Sequence, residues 1–476
     1  MEYETVIGLE VHVELNTKTK IFCSCSTAFG AKANTQICPV CAGLPGALPV
    51  LNRQVLTAAV RAGLALNCEI AERTRFDRKN YFYPDNPQNY QISQLYLPIC
   101  KKGYMEFDTG EGRKKVRIHD IHMEEDAGKL YHDSEKGVSY ADYNRAGVPL
   151  LEIVTEPDMR SGEEAVAFLE KLKSRLRYLG ISDCRMQEGS MRADVNLSVR
   201  PAGSSEYGTR TEMKNLSSYT AVREAAAAET KRQIAILESG GSVMRETRRF
   251  DEKKKESTGM RGKEGAEDYR YFPEPDLKAV YIAKETTEKL RAQMPEFSEE
   301  KTERFCREYG LGAKDAALLC RERKMAELFE QTVSLGAEAK SVSNWLNGET
   351  LKLMAEREVA DELRFTADRL YKLIKLIKDG IINNTTAKEV FENMYDDNTD
   401  PEKYVEEKGL AQSSDEDEIR ELCMQVFNAN PDAVSDYRNG KGRALGFLVG
   451  CVMKAGSGKV EPKTVTKVMK ECLEKG

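Results

Sequence analysis

Between Leu9 and Leu15 the chain reads Leu-Glu-Val-His-Val-Glu-Leu. Side chains alternate across a strand, so Leu9, Val11, Val13 and Leu15 share one face while Glu10, His12 and Glu14 share the other. Two carboxylates and an imidazole in a row match the oxygen and nitrogen ligands of a hard divalent cation. The plain alternative is a half-exposed strand with a wet outer face.

Further along, the same chemistry recurs. His122-Met123-Glu124-Glu125-Asp126-Ala127-Gly128 sets three adjacent carboxylates before a glycine, a run that a solvated acidic turn would also explain. Glu152 lies in the strand-like Leu150–Val154. In Ala193–Arg200, Asp194, Asn196 and Ser198 face one way, and Arg210, Glu212 and Lys214 repeat the pattern one strand later. Four strands thus offer acidic faces, and clustered carboxylates repel one another unless a cation neutralises them. A magnesium-nucleotide site meets that need. Arg78-Lys79-Asn80-Tyr81-Phe82-Tyr83-Pro84-Asp85 supplies cations and aromatic rings suited to a base and its phosphates. Gly456-Ser457-Gly458-Lys459 lacks the earlier glycine and the following Ser or Thr of a phosphate-binding loop, so metal, Arg and Lys must carry the phosphate charge.

Four of the twelve cysteines cluster as Cys23-x-Cys25, twelve residues, then Cys38-x-x-Cys41. That spacing reads as a zinc knuckle, closed by four thiolates and therefore structural. Cys38 and Cys41 alone would also suit a redox pair, but the βαβ context of such a pair is missing. The other eight are expected to be buried small apolar residues.

The elements that must hold these groups divide by texture. A chain of 476 residues exceeds one ordinary core. Residues 1–294 mix short strands, loops and a few helices. One helix is expected over Glu163–Leu179, with Ser161 and Glu164 as a capping box and Gly180 as its stop. The charged stretch Arg248–Gly265 reads as a mobile loop. Residues 295–400 are expected to form a helical connector, with helical periodicity over Ala316–Leu335 and Ala360–Lys378. Residues 401–476 make a smaller helical tail, with helices over Asp415–Phe427 and from Pro462. The fold class is α+β. In the tail, Gly442, Gly446 and Gly450 share a helix face, suited to close helix packing or, beside Arg438, Lys441, Arg443 and Lys454, to an RNA backbone.

Composition narrows the function classes. Apolar residues make up 40% and charged residues 32%, and no apolar run approaches the roughly 20 residues of a membrane helix. Met1–Thr5 carries two glutamates and no cation, unlike a signal or transit peptide, which points to the cytosol. The net charge of −6 does not favour general nucleic-acid binding. From Pro431 onward, however, nine Lys and Arg face five Asp and Glu, a local +4 that permits phosphate contacts.

With these residues in view, the chain resembles the B subunit of the three-part GatCAB-type tRNA-dependent amidotransferases. The resemblance rests on IGLEVHVEL, FDRKNYFYPDNPQNYQISQ, HMEEDAGK, LLEIVTEPD, EGSMRADVNLSVR, EMKNLSS, ETRRFDE, DYRYFPEPDL and YRNGKGRALGFLVG, from residue 7 to about 450. It implies ATP-dependent conversion of Glu-tRNA(Gln) or Asp-tRNA(Asn) to Gln-tRNA(Gln) or Asn-tRNA(Asn). An acyl phosphate forms on the tRNA-linked side chain, and ammonia released from glutamine by an A subunit displaces it. It further implies a heterotrimer with A and small C subunits, a cradle domain, and a tail that grips misacylated tRNA. The magnesium site falls by resemblance on Glu10, His12 and Glu125, with Glu124, Glu152, Asp194 and Glu212 as candidates for the same cavity. Lys79, Ser190, Arg192 and Lys214 are candidates for nucleotide or acyl-phosphate contact, and Ser190 would equally suit a turn after Gly189. The four cysteines match a zinc knuckle present in some members. The archaeal relative with a synthetase-like insertion is excluded because no stretch could hold that insertion. A non-catalytic, zinc-containing RNA-binding scaffold is the rival from another class.

Overall fold

The computed structural model describes residues 2–110, 112–262, 268–358, 363–412, 415–456 and 460–475. The chain separates into two compact units, Met1–Phe297 and Ser298–Gly476. The first is built on a mixed sheet and the second is helical, an α+β organisation.

In the first unit, the strands that matter are β1 (Tyr3–Glu14), β2 (Glu69–Ile70), β3 (Asp77–Asn80), β4 (Tyr90–Ser93), β5 (Cys100–Thr109) and β6 (Gly112–Glu125). They are followed by β7 (Pro149–Thr155), β8 (Met191–Pro201), β9 (Thr211–Lys214), β10 (Glu246–Asp251) and β11 (Glu256–Gly262). Among the described residues nine of these form one sheet in the order β11-β10-β9-β8-β1-β7-β6-β5-β2. Its pairs are antiparallel except β9 with β10.

One face of the sheet is the core. Leu9, Val11, Val13, Leu151, Ile153, Val195 and Met213 are buried there, beneath helices α1 (Arg53–Ala65), α2 (Gly162–Leu179) and α3 (Tyr219–Glu238). The α2 amphipathic stripe, Ala165, Phe168, Leu169, Leu172 and Leu176, is fully buried. Its start differs in detail from a capping box. The Ser161 hydroxyl accepts from the Glu164 amide at 3.1 Å, but Glu164 returns to the amide of Arg160, one residue upstream of the cap. Gly180 ends the helix with φ of 67°, where a side chain would be strained.

A register shift lies opposite the Val154–Thr155 junction: Val154 faces Asp120 while Thr155 faces Ile118. His119 is the extra residue of a bulge. Up to and including it Arg113, Lys115, Arg117 and His119 are outward; after it Asp120, His122 and Glu124 take that side.

Arg248–Gly265 is not a loop where it is described. Glu246–Asp251 and Glu256–Gly262 pair as an antiparallel hairpin, while 263–265 lie outside the described residues. The charges that suggested a loop are used inside. Arg248 is buried against Glu246 at 2.5 Å and Glu229 at 3.4 Å, and donates to the Ser257 hydroxyl at 2.8 Å.

In the second unit two hydrophobic clusters form separately, one from Phe305 to Val405 and one from Ile419 to Leu473. The periodic segment Ala316–Leu335 divides into helices Ala313–Cys320 and Arg323–Ser334. The later helix begins at Ala367, capped by Thr366, and 360–362 lie outside the described residues. Helices Glu416–Ala429 and Pro462–Lys475 occupy the expected places. Gly442 caps helix Arg443–Ala455, and a Cβ at Gly442, Gly446 or Gly450 would meet nothing within 4 Å. Among the described residues nothing packs closely on these glycines; Leu448 and Val452 on another face are buried instead. Residues 457–459 of the phosphate-loop lookalike are outside the described set. No described helix is long and apolar enough to cross a membrane.

Candidate functional site

The polar face of the sheet collects the acidic rows from five neighbouring strands: β9, β8, β1, β7 and β6. Register decides who meets whom. Glu10 stands opposite Asp194 and His12 opposite Glu152; Glu152 in turn faces His122. The outcome is two adjoining groups rather than one.

The first is His12, Glu124 and Glu152, whose ligand atoms lie within 4.8 Å of one another. His12 Nε2 is 3.5 Å from Glu124 and 3.6 Å from Glu152. Behind them, His122 reaches Glu152 at 3.0 Å and Asp120 at 2.7 Å, so both ring nitrogens are engaged and Glu152 is held in place. Burial opposes a charge on His12, but Glu152, Glu124 and Asp194 outweigh it and push the ring up to about 9. Glu152 is correspondingly held well below the usual carboxylate range against its own burial by His122 and His12. A dication entering here would replace the His12 proton, since only neutral imidazole ligates. Lys79 projects its ammonium over the Tyr269 ring at 4.9 Å, and despite burial Tyr271, Glu124 and Glu152 raise its affinity for the proton. A fixed positive charge therefore borders this group.

The second group is Glu10, Asp194 and Glu212. Asn196 donates to Glu10 at 2.9 Å and the Thr247 hydroxyl to Glu212 at 2.7 Å. The Lys214 ammonium sits among them, 2.8 Å from Asp194 and 3.5 Å from Glu212, supplying the counter-charge that three carboxylates require. If that is its role, Lys214→Met should leave the carboxylates repelling one another. Its unfolding free energy in chelator should fall below that of the wild type by about 1 kcal/mol, given the 43% exposure of Lys214, and its thermal midpoint should fall with it. Millimolar Mg2+ should then raise the variant's midpoint more than the wild type's. Equal shifts in calorimetry would show that no cation substitutes for the lysine.

A third set closes the row. Glu14 and Asp126 share a hydrogen bond; burial and Asp126 push Glu14 up to about 8. Asp126, although buried, is held low by Arg192 and Arg145, at 2.9 and 3.4 Å.

Of the other sequence candidates, Glu125 ends β6 on the opposite side from Glu124. Its carboxylate accepts from the Gln88 amide at 2.5 Å and the Ile92 backbone amide at 3.0 Å, and burial pushes it up to about 8. It lines a cavity with Cys23 and Cys41, and its carboxylate is not among those whose oxygens converge in either acidic group. The Ser190 hydroxyl is engaged in a turn, donating to Asp183 and accepting from the Arg185 amide at 2.8 Å.

Cys23, Cys25, Cys38 and Cys41 converge, with Cys41 Sγ 4.0 Å from Cys25 and 3.9 Å from Cys38. Four thiolates at about 2.3 Å around a tetrahedral zinc stand about 3.8 Å apart, so the donor set fits that ion. All twelve cysteines are free, and three of the eight outside the cluster, Cys306, Cys451 and Cys472, are only half-buried. A hydrogen bond from Cys23 holds Cys41 down at about 4, aided by the Cys38 amide and Lys20. Lys20 is fully buried, 3.4 Å from Cys41 Sγ and 3.2 Å from the Tyr143 carbonyl oxygen. Sequence reading missed Lys20, for it sits in no motif. The pairing of Glu14 with Asp126 had a signal in the β1 alternation, but its partner required the fold.

Residues 5–288 match the family model described as the GatB/GatE catalytic domain, and residues 327–473 match that described as the GatB domain. Curated relatives, each named as the B subunit of an aspartyl/glutamyl-tRNA(Asn/Gln) amidotransferase, align along their whole length. The protein of Agathobacter rectalis is 55% identical over 99% of both chains. That of Lachnospira eligens is 54% identical over 99% of this chain and 100% of its own. That of Thermoanaerobacter pseudethanolicus is 54% identical over 100% of both.

Proposed function

The chain belongs to the family of aspartyl/glutamyl-tRNA(Asn/Gln) amidotransferase B subunits, and on that premise we propose that its acidic sheet face activates and amidates the side chain of a misacylated tRNA. The observation that carries this reading is the row of two acidic groups flanked by Lys79, Lys214 and Arg192 on one sheet face. Triphosphate and carboxylate are both anions, and bringing them together needs such an alternation of carboxylate and cation.

In the reaction proposed, a side-chain carboxylate oxygen of Glu-tRNA(Gln) or Asp-tRNA(Asn) attacks the terminal phosphorus of ATP, and ADP leaves. Ammonia then attacks the acyl carbon, phosphate departs and a proton is lost, leaving the amide. A free carboxylate is a poor acyl donor and the acyl phosphate a good one. His12, Glu124 and Glu152, with Glu10, Asp194 and Glu212 beside them, are the residues that would hold magnesium, which neutralises phosphate oxygens when bound. Lys79 and Lys214 neutralise developing charge on either side of that row. His122 and Asp120 keep Glu152 oriented. Glu125 and the Cys41 side lie behind it, where the zinc knuckle shapes the wall.

Ammonia comes from glutamine through an amidase A subunit, and a small C subunit completes the heterotrimer. The tail, with its open glycine face between Arg438, Lys441, Arg443 and Lys454, contacts the tRNA backbone. The setting is the cytoplasm. The direct test supplies the chain, co-purified with its A and C partners, with Glu-tRNA(Gln), ATP, magnesium and free ammonia in place of glutamine. ATP-dependent Gln-tRNA(Gln) is the expected product, or Asn-tRNA(Asn) from Asp-tRNA(Asn). Failure with both substrates despite tight tRNA binding would leave the scaffold reading.

A further inference from the structure

Glu212 stands on β9, a strand of only four residues, and its partner in register on β10 is Thr247. Both side chains are buried. The Thr247 hydroxyl donates to Glu212 Oε2 at 2.7 Å, while Oε1 of the same carboxylate turns to the Lys214 ammonium at 3.5 Å. The two oxygens are thus divided between a neutral donor and the charged interior of the second acidic group. Threonine suits this work, because branching at Cβ restricts χ1 and keeps the hydroxyl pointing one way.

The backbone that carries this contact is pinned from the opposite face of the sheet. Glu229 of α3 is fully buried and belongs to neither acidic group. It accepts from the hydroxyl of Thr211, the residue just before Glu212, at 2.8 Å. The guanidinium of Arg248, the residue just after Thr247, stands 3.4 Å away. From β11 the Ser257 hydroxyl donates to the same carboxylate at 3.1 Å. Burial opposes a charge on Glu229, but hydrogen bonds from Arg232 and Gln233 outweigh it and hold the carboxyl below its usual range. Neighbouring residues on a strand point to opposite faces, so one anion ties β9, β10 and β11 together behind the Glu212–Thr247 pair.

A ligating carboxylate is oriented by the hydrogen bond made to its other oxygen. We propose that Thr247 is a positioning residue for the second acidic group: its hydroxyl holds Glu212 Oε2 and leaves Oε1 directed at a divalent cation shared with Glu10 and Asp194. This rests on the function proposed above and names what fixes the direction of one ligand. Thr247→Val keeps the branched shape but deletes the donor, and Thr247→Ser keeps the donor while losing a methyl group.

The test uses the chain assembled with its partners, carrying Thr247→Val, Thr247→Ala, Thr247→Ser or Glu212→Gln. Equilibrium binding of Mn2+ alone, without nucleotide or tRNA, is read from the paramagnetic resonance of the free ion. Glu212→Gln marks the binding that belongs to this group. Thr247→Val and Thr247→Ala should weaken that binding about tenfold or more, with Thr247→Ser near wild type. Circular dichroism and tRNA affinity should match the wild type, a pattern that general loosening of the sheet would not give. Unchanged Mn2+ affinity in the two variants without the hydroxyl, or equal weakening in Thr247→Ser, would overturn the inference. So would Mn2+ binding that Glu212→Gln leaves intact. Wild-type amidation with free ammonia is read separately. Thr247-dependent Mn2+ binding without amidation would keep the positioning role and remove the parent reading, and amidation with Thr247-independent binding would do the reverse.

Discussion

Glu124→Gln, assembled with its partners, is expected to lower ATP-dependent amidation by about two to three orders of magnitude, the scale on which a lost metal ligand or charge-stabilising group is felt. Glu124 is almost fully buried and faces the His12 ring at 3.5 Å. Gln keeps the volume but removes the negative charge and presents an amide where an oxygen is needed. Tertiary structure and tRNA affinity should therefore remain near wild type while the Mg2+ concentration for half-maximal rate rises. Glu10→Gln should behave likewise through the second group, where Asn196 and Lys214 continue to hold their places. The measurement is the initial rate of amidation with free ammonia across a magnesium titration. Wild-type rates for Glu124→Gln at every magnesium concentration would remove the first group from the chemistry.

The four-cysteine cluster carries the other large expectation. The native protein should hold one equivalent of zinc, and Cys41→Ser should lose it with a fall in Tm of about 5 °C or more. The reason is the segment it closes. Between β1 and α1 the chain runs from Leu15 to Asn52 with no helix and no pairing beyond the isolated Thr19–Ser26 bridge. Ile21 and Phe22 are buried, but Phe29, Leu44, Leu48 and Val50 are exposed, so little apolar burial orders the rest. A metal substitutes for the missing core. Lys20 fits that role: an ammonium buried against Cys41 offsets part of the charge of four thiolates around a dication. Elemental analysis and calorimetry with and without chelator read both quantities. A folded native chain free of zinc, its four thiols open to titration, would refute the assignment.

How much of this was legible beforehand follows from what is local. The β1 alternation was readable because Leu9, Val11 and Val13 differ so sharply from Glu10, His12 and Glu14. The four-thiol spacing was readable because its ligands lie within 19 residues. The division of the acidic residues into two groups was not, since it depends on Glu10 meeting Asp194 and His12 meeting Glu152 from distant strands. In β6 the bulge at His119 shifts the phase of alternation, so no single period-2 pattern runs through it. The hairpin at Glu246–Gly262 was hidden by its own charges, because Arg248 is buried by partners that a local pattern does not reveal. Lys20 left no trace at all. Function came from the family motifs, not from periodicity.

The central position of β1 also has a bearing on how the protein is made. Both neighbours of this first strand come much later in the chain, at residues 149–155 and 191–201. At synthesis rates of roughly 5–20 residues per second, β1 waits on the order of ten seconds for its second partner to be made. During that interval it presents two open edges and an apolar row, a combination prone to wrong pairing. Neither acidic group is complete until residue 152 or 212 has been added. Cation binding therefore cannot guide early folding; it becomes available only when the long-range pairings have closed, as a late report that the sheet is in register.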